Sequence, residues 1–237
     1  MRKIRTAFIL GAGLGTRLRP LTLEWPKPLL PVAGRPMICD VLDRCVDLGV
    51  ERILINTHHC AKRYDEVFPE KIWRGVPLFI RHEPILLETA GGLKNIEDLI
   101  LGDSLLIYNG DVLANFDLAP LISTHFASQA EVSLGLRTQE EPRQVGWDRQ
   151  TGNVRDIRGK LGVEGLERTL FTGVYVVERS FLSRLTPGKI ESVVDVFLRM
   201  LGCKEDEHRI QGVLLDDRQW MDLGTIADYE RVKALGL

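Results

Sequence analysis

Cysteine is scarce and scattered, with four in 237 residues. Cys39, Cys45, Cys60 and Cys203 form no Cys-x-x-Cys pair and no disulfide-like spacing, which excludes a disulfide scaffold. They read as buried small hydrophobes of a protein kept in a reducing compartment. Long apolar runs are missing as well. No stretch approaches the roughly 18 apolar residues of a membrane span. The apolar Ala7–Leu10 behind Arg2, Lys3 and Arg5 stops at a glycine, too soon for a signal peptide. A cytoplasmic protein with no membrane role is expected. Nor is there an excess of one charge: 31 basic and 33 acidic side chains leave a net −2, which argues against nucleic-acid binding. The 22 glycines follow no period and form no low-complexity tract. The composition is 44% hydrophobic and 27% charged, an ordinary globular balance. A chain of this length buries roughly 70–75% of its unfolded surface and needs no staples.

The apolar pattern alternates. Strands are expected at 6–10, 52–56, 78–81, 105–108 and 131–137. Helices are expected from Pro36 to a cap at Gly49, then at 61–68, 92–100 and 118–128. This alternation implies an α/β fold, Rossmann-like, with a mostly parallel central sheet and helices on both faces. From about Gln139 to Tyr175 the pattern shifts to short, turn-punctuated strands. Helices at 178–185 and 191–201, strands at 212–215 and 219–222, and a helix from Ile226 capped by Thr225 complete the chain. No linker or composition break divides it, so residues 1–237 read as one domain.

The first strand runs into Gly11-Ala12-Gly13-Leu14-Gly15-Thr16-Arg17. Glycines there let backbone N–H groups approach an anion closely, at the sheet edge where α/β proteins bind ligands. Gly11, Ala12, Gly13, Gly15 and Thr16 are therefore candidate nucleotide-binding residues. A dinucleotide fingerprint fails, because Thr16 stands where its third glycine belongs and Leu30–Pro36 offers no ribose-binding acid. A P-loop fails too, since Gly-Lys-Ser/Thr occurs nowhere. Beyond the glycines lies a cationic segment carrying Arg17, Arg19 and Lys27, stiffened by Pro20, Pro26, Pro28 and Pro31. Such stiffness suits a polyphosphate clamp, because a pre-organised cation loses little entropy on binding.

Gly11 through Thr22, followed by Pro26-Lys27-Pro28-Leu29-Leu30-Pro31-Val32, closely resembles the signature of the sugar-1-phosphate nucleotidylyltransferases. The resemblance implies the nucleotide-diphospho-sugar transferase type of fold. It also implies a nucleotide-binding half (about 1–138), a sugar-binding half (about 139–237), and no room for the β-helical domain of longer relatives. The expected substrates are a nucleoside triphosphate and a sugar 1-phosphate. Arg17 and Lys27 become the catalytic cations. Asp111, after the strand 105–108, and Asp222, before the last helix, become Mg²⁺ ligands; Asn109 joins the nucleotide site. Read without the resemblance, Asp111 is a turn former and Asp222 an acid near a helix N-terminus. Asp216 and Asp217 compete for the second role in a less characteristic context.

Glu83 and Glu88 can accept hydrogen bonds from a base, and Gly91 and Gly92 can approach a flat ligand. A carboxylate matches the adjacent N–H donors of guanine better than uracil's single one, whereas Glu88-Thr89-Ala90-Gly91-Gly92 also resembles the uridylyltransferases. For the sugar phosphate the resemblance suggests Lys160, Thr172, Gly173 and Gly146. Arg158-Gly159-Lys160 lacks the acid that relatives carry there. His58-His59-Cys60 reads as extended backbone rather than a metal site, and Lys204–Glu207 as a surface turn. A monomer or homodimer is expected. A non-catalytic regulatory subunit on the same fold stands as the rival reading.

Overall fold

The computed structural model describes residues 2–234. Its elements in chain order are β1 (Thr6–Leu10), β2 (Pro31–Val32), β3 (Arg35–Pro36), α1 (Ile38–Asp47), β4 (Arg52–Thr57), α2 (Lys62–Val67), β5 (Ile72–Trp73), β6 (Val76–His82), α3 (Glu88–Asn95) and β7 (Ser104–Asn109). The chain continues with β8 (Val112–Ala114), α4 (Ala119–Ala127), β9 (Val132–Arg137), β10 (Val145–Trp147), β11 (Val154–Ile157), β12 (Glu167–Glu178), α5 (Val193–Leu201), β13 (Ile210–Leu214), β14 (Trp220–Asp222) and α6 (Ile226–Ala234).

A ten-stranded sheet runs β11-β10-β12-β7-β1-β4-β6-β5, with β9 pairing β12 and β13. Its centre is parallel: β1 lies between β4 and β7, and β6 lies outside β4. The long β12 pairs antiparallel with β7, β9 and β10, and β13 then pairs β9 in parallel. Apolar helix stripes cover both faces. On one side α3 and α5 pack Ala90, Leu93, Val196 and Phe197 against Phe8 and Ile107. On the other, α1 buries Ile38, Val41, Leu42 and Cys45 at helical spacing against Ala7 and Ile9. Gly49 ends α1 at φ +77 and donates its N–H to the Val46 carbonyl, a conformation glycine adopts without Cβ strain. Thr225 caps α6 by accepting the Asp228 N–H, while Asp228 accepts the Thr225 N–H.

Register positions the functional segments. Leu10 pairs with Asn56 on one side and Asn109 on the other, and Thr57 pairs with His82. Gly11, His58, Glu83 and Gly110 therefore leave the sheet side by side at its carboxyl edge.

Some expectations change. The helix expected at 92–100 begins at Glu88 and gives way to a 3-10 turn at Glu97–Leu99, because Gly91 and Gly92 lie inside it as close-packing positions. The helix expected at 178–185 is a 3-10 turn, Arg179–Arg184. Cys39 and Cys45 are buried as expected, but Cys60 is half-buried and Cys203 exposed. Lys204–Asp206 is a surface turn. Among the described residues no helix is long and apolar enough to cross a membrane.

Candidate active site

Three adjoining hollows lie along the carboxyl edge. The first, about 330 Å³, is lined by Gly13, Leu14, Gly15, Thr16, Arg17, Lys27, Asp111 and Gly224. The second, also about 330 Å³, shares Leu10, Gly13, Leu86 and Asp111 with it and adds Ala12, Asn56, Glu88, Thr89, Asn109 and Ser192. The third, about 230 Å³, shares Asn109 with the second and is walled by Leu134, Phe171, Thr172, Gly173, Phe197, Trp220 and Asp222.

The Gly11 loop is pinned at its base and open at its tip. Gly15 sits at φ +60, and a Cβ there would come within 2.9 Å of Thr22 Cγ2. Thr22 Oγ1 donates to the Gly15 carbonyl at 2.7 Å, which ties the loop to the cationic segment. Gly13 faces open space. The Arg17 guanidinium lies over Gly224, where an added Cβ would sit 3.3 Å from both terminal nitrogens.

Lys27 projects from a 3-10 turn, Lys27–Leu29, whose Leu29 packs in the α1-side core. Leu30 and Val32 pack instead with Leu113, Leu223 and Tyr229, and the Tyr229 hydroxyl donates to the Pro31 carbonyl at 2.7 Å. This third core clamps the segment between the sheet and α6. Pairing of β8 with β14 sets Asp222 opposite Val112, next to Asp111. The result is a convergence of charge: Lys27 Nζ lies 2.6 Å from Asp111 Oδ2 and 3.4 Å from Asp222 Oδ1. Lys27 is only 7% exposed, whereas the Asp222 side chain keeps 44% of its surface open. Burial first, and then the Asp111 charge, hold the Asp222 carboxyl above its usual range, against Lys27 and Arg17.

Two carboxylates drawn onto one ammonium are hard oxygen donors already gathered around a cation, and this fits a Mg²⁺ site. Among the described residues no set of three or more His, Cys, Asp or Glu could hold a metal, so phosphate oxygens and water would supply the other ligands. His58 and His59 instead hydrogen-bond the Glu83 and Thr22 carbonyls.

Other expected residues take different places. Gly11 is buried and its N–H is committed to Asn56 Oδ1 at 2.8 Å, so the part of the loop that lines the hollows begins at the buried Ala12 and opens at Gly13. Glu83 is 0% exposed, and its two oxygens accept from Asn56 Nδ2 and the Leu87 N–H; that leaves no oxygen for a base. Gly92 faces the same pair, with Asn56 Nδ2 2.7 Å from an added Cβ. Glu88 does line the second hollow, at φ +59. Gly173, at φ +78, lies so close to Asn109 that a Cβ would meet its Nδ2 at 2.4 Å. Thr172 lines the third hollow, but its hydroxyl donates to the Gly135 carbonyl. Gly146 packs against Leu166 and Asp156, and Lys160 stands on an exposed turn outside that hollow, which Arg158 lines instead. Asn56 and Trp220, which line the second and third hollows, escaped sequence reasoning. The signal available for Asn56 was a polar residue closing the apolar strand Arg52–Asn56 at the ligand edge.

A model of the nucleotidyl transferase family matches residues 6–235. The chain belongs to that family. It is 33% identical to a mannose-1-phosphate guanylyltransferase of Mycobacterium tuberculosis over 96% of this chain, spanning 63% of that relative's length. It is 30% identical to an N-acetylmuramate alpha-1-phosphate uridylyltransferase of Neisseria meningitidis serogroup B, covering 97% of both chains. The solved structure of HddC from Yersinia pseudotuberculosis superposes with a TM-score of 0.79 at 19% identity, over 98% of this chain and 99% of that one; this likeness concerns the fold.

Proposed function

We propose that the protein transfers a nucleotidyl group from a nucleoside triphosphate to a sugar 1-phosphate, giving an NDP-sugar and pyrophosphate. The observation that carries this reading is the Lys27 ammonium between Asp111 and Asp222, beside the open loop that bears Arg17. Arg17, Lys27 and the loop backbone from Ala12 to Thr16 hold the triphosphate in the first hollow. The second hollow takes the base, and the third, framed by Gly173 and Trp220, takes the sugar. Residues to about 138 line most of the nucleotide hollows, joined by Ser192 and Gly224, and those after it most of the sugar hollow, joined by Asn109, Val112 and Leu134.

An oxygen of the sugar phosphate attacks the α-phosphorus in line. That P–O bond forms as the bond to the leaving pyrophosphate breaks, and the pyrophosphate keeps the electron pair. Arg17 and Lys27 take up the charge that develops on it. Mg²⁺ held by Asp111 and Asp222 would supply the charge neutralisation that lets two phosphate groups approach. The attacking phosphate is already ionised near neutral pH, so no general base is required.

Guanine is the favoured base, because Glu88 offers a carboxylate at the second hollow to its adjacent N–H donors, and a guanylyltransferase stands among the relatives. The second reading is a uridylyltransferase acting on N-acetylmuramate 1-phosphate or another hexose 1-phosphate. It draws on Glu88-Thr89-Ala90-Gly91-Gly92 and on the Neisseria relative that matches along its full length. Pyrophosphate release with each triphosphate against a panel of sugar 1-phosphates tests the proposal. Turnover should require both substrates and be highest with GTP and mannose 1-phosphate. Nucleotide-sugar binding without pyrophosphate release from any pair would support a regulatory protein instead.

A further inference from the structure

Glu83 is a buried carboxylate with no lysine or arginine pairing it among the described residues, and no atom of it reaches the cleft. An unpaired buried acid is costly, so its hydrogen bonds should reveal what it does. Its Oε1 accepts from Asn56 Nδ2 at 2.8 Å and its Oε2 from the Leu87 N–H at 3.1 Å. Asn56, 2% exposed, passes the constraint on: its Oδ1 accepts the Gly11 N–H at 2.8 Å. The buried Tyr64 hydroxyl donates to the Gly11 carbonyl at 3.1 Å. The first residue of the phosphate loop is therefore held at both its N–H and its carbonyl.

We infer that Glu83 is a positioning residue, which fixes the Asn56 amide so that its oxygen faces Gly11 and thereby locks the root of the phosphate loop to the base-side segment at Leu87. Both Glu83 oxygens serve as acceptors in this network. Asn56 must then turn its NH₂ toward Glu83 and its oxygen toward Gly11. A flipped amide would set NH₂ against the Gly11 N–H and leave both Glu83 and the loop unsatisfied. There is no slack for another arrangement, since Gly92 presses on Asn56 and Glu83 where a Cβ would clash at 2.7 and 2.8 Å. The same carboxylate bonds Leu87, next to Glu88, so base-side and phosphate-side segments share one anchor.

The inference rests on the nucleotidyl-transfer reading for its kinetic consequence but not for its structural one. Glu83→Gln keeps shape and removes one acceptor, which sets an NH₂ against either Asn56 or Leu87. Leaving one buried donor unpaired should lower kcat/KM about 10- to 100-fold, by a similar factor for every triphosphate accepted, because the lesion reaches the shared phosphate loop. A loss confined to one base would mean that Glu83 reads the base and would overturn the inference. The double variant Asn56→Asp with Glu83→Gln reverses the polarity. The amide introduced at position 83 then donates to the carboxylate introduced at position 56 and still accepts from Leu87. That carboxylate in turn accepts from Gly11, at unchanged net charge. The double variant should recover most of the lost kcat/KM; one no better than Glu83→Gln would contradict the relay.

Amide exchange of Gly11, followed by NMR, gives a readout independent of turnover. It should speed up at least about 10-fold in Glu83→Gln and return toward wild type in the double variant. Unchanged Gly11 protection in Glu83→Gln would overturn the inference. Failure of the wild type itself to release pyrophosphate would instead sink the transfer reading and leave the Gly11 test standing.

Discussion

Replacing Lys27 with methionine removes an ammonium and keeps most of its volume. The side chain lies 2.6 Å from one aspartate and 3.4 Å from the other and is almost wholly buried. Breaking a fully buried ion pair by deleting one partner costs about 3–5 kcal/mol. Here the abandoned acids are 33% and 44% exposed, and solvent screens them, so about 2 kcal/mol is the expected loss. In a chain of this length that corresponds to about 4–8 °C in Tm at neutral pH. The sign with pH follows from Asp222. Its carboxyl already sits above the ordinary value, and losing Lys27 raises it further. A carboxyl raised in the folded state destabilises the fold when ionised, and protonation relieves it. The deficit should therefore shrink as pH falls through that raised pKa toward the ordinary carboxylate value near 4. Added Mg²⁺ should restore part of the lost Tm in Lys27→Met and do less for the wild type, whose own ammonium already fills the gap. Thermal unfolding with and without Mg²⁺ checks this. A variant that melts like the wild type at neutral pH and ignores Mg²⁺ would refute the reasoning.

Arg17→Ala should lower turnover roughly 10³-fold, about 4 kcal/mol, with Tm within about 2 °C of wild type, as Arg17 is exposed; near-normal pyrophosphate release would remove Arg17 from the chemistry. Glu88→Gly should raise stability by about 1 kcal/mol, since residue 88 sits at φ +59, while flattening the preference for GTP over UTP; an unchanged preference in steady-state kinetics would show that Glu88 does not read the base. Arg199 first, with Lys189, holds the Glu191 carboxyl below its ordinary value, so its contribution is present above the ordinary glutamate pKa and is lost as pH falls through the depressed one. Glu191→Gln should accordingly be less stable than wild type at neutral pH and converge with it in acid; parallel Tm–pH curves would contradict this.

Much of the site was legible because its residue types are locally unusual. Stiff prolines around Lys27, a glycine run behind a strand, and acids at strand ends each stand out from solvated loops. Sheet register could not be read from spacing alone, yet register brings Leu10, Asn56 and Asn109 abreast. The β8–β14 pairing that carries Asp222 to Asp111 joins segments about 110 residues apart; three-residue strands of that kind have no periodicity to detect. Glu83 misled for a different reason. A glutamate beside a ligand edge suggests a ligand contact, and only burial and the Asn56 hydrogen bond show that it faces inward. Gly91 and Gly92 misled likewise. Close backbone approach was the right physics, but what approaches is Lys189 and Asn56 rather than a base. Lys160 and Arg158 differ by two residues in a turn whose direction no sequence pattern reports, and the cavity takes the arginine.

Pyrophosphate release by Asp222→Asn, compared with wild type at saturating triphosphate, sugar 1-phosphate and Mg²⁺, bears most directly on the joint action of the lysine and the two acids. Lys27 keeps its 2.6 Å partner Asp111 in that variant, so the protein should fold and melt close to wild type. Its turnover should fall at least about 10²-fold. Wild-type turnover from a folded Asp222→Asn protein would contradict the assignment of that carboxylate, and with it the convergent site on which the proposed transfer depends.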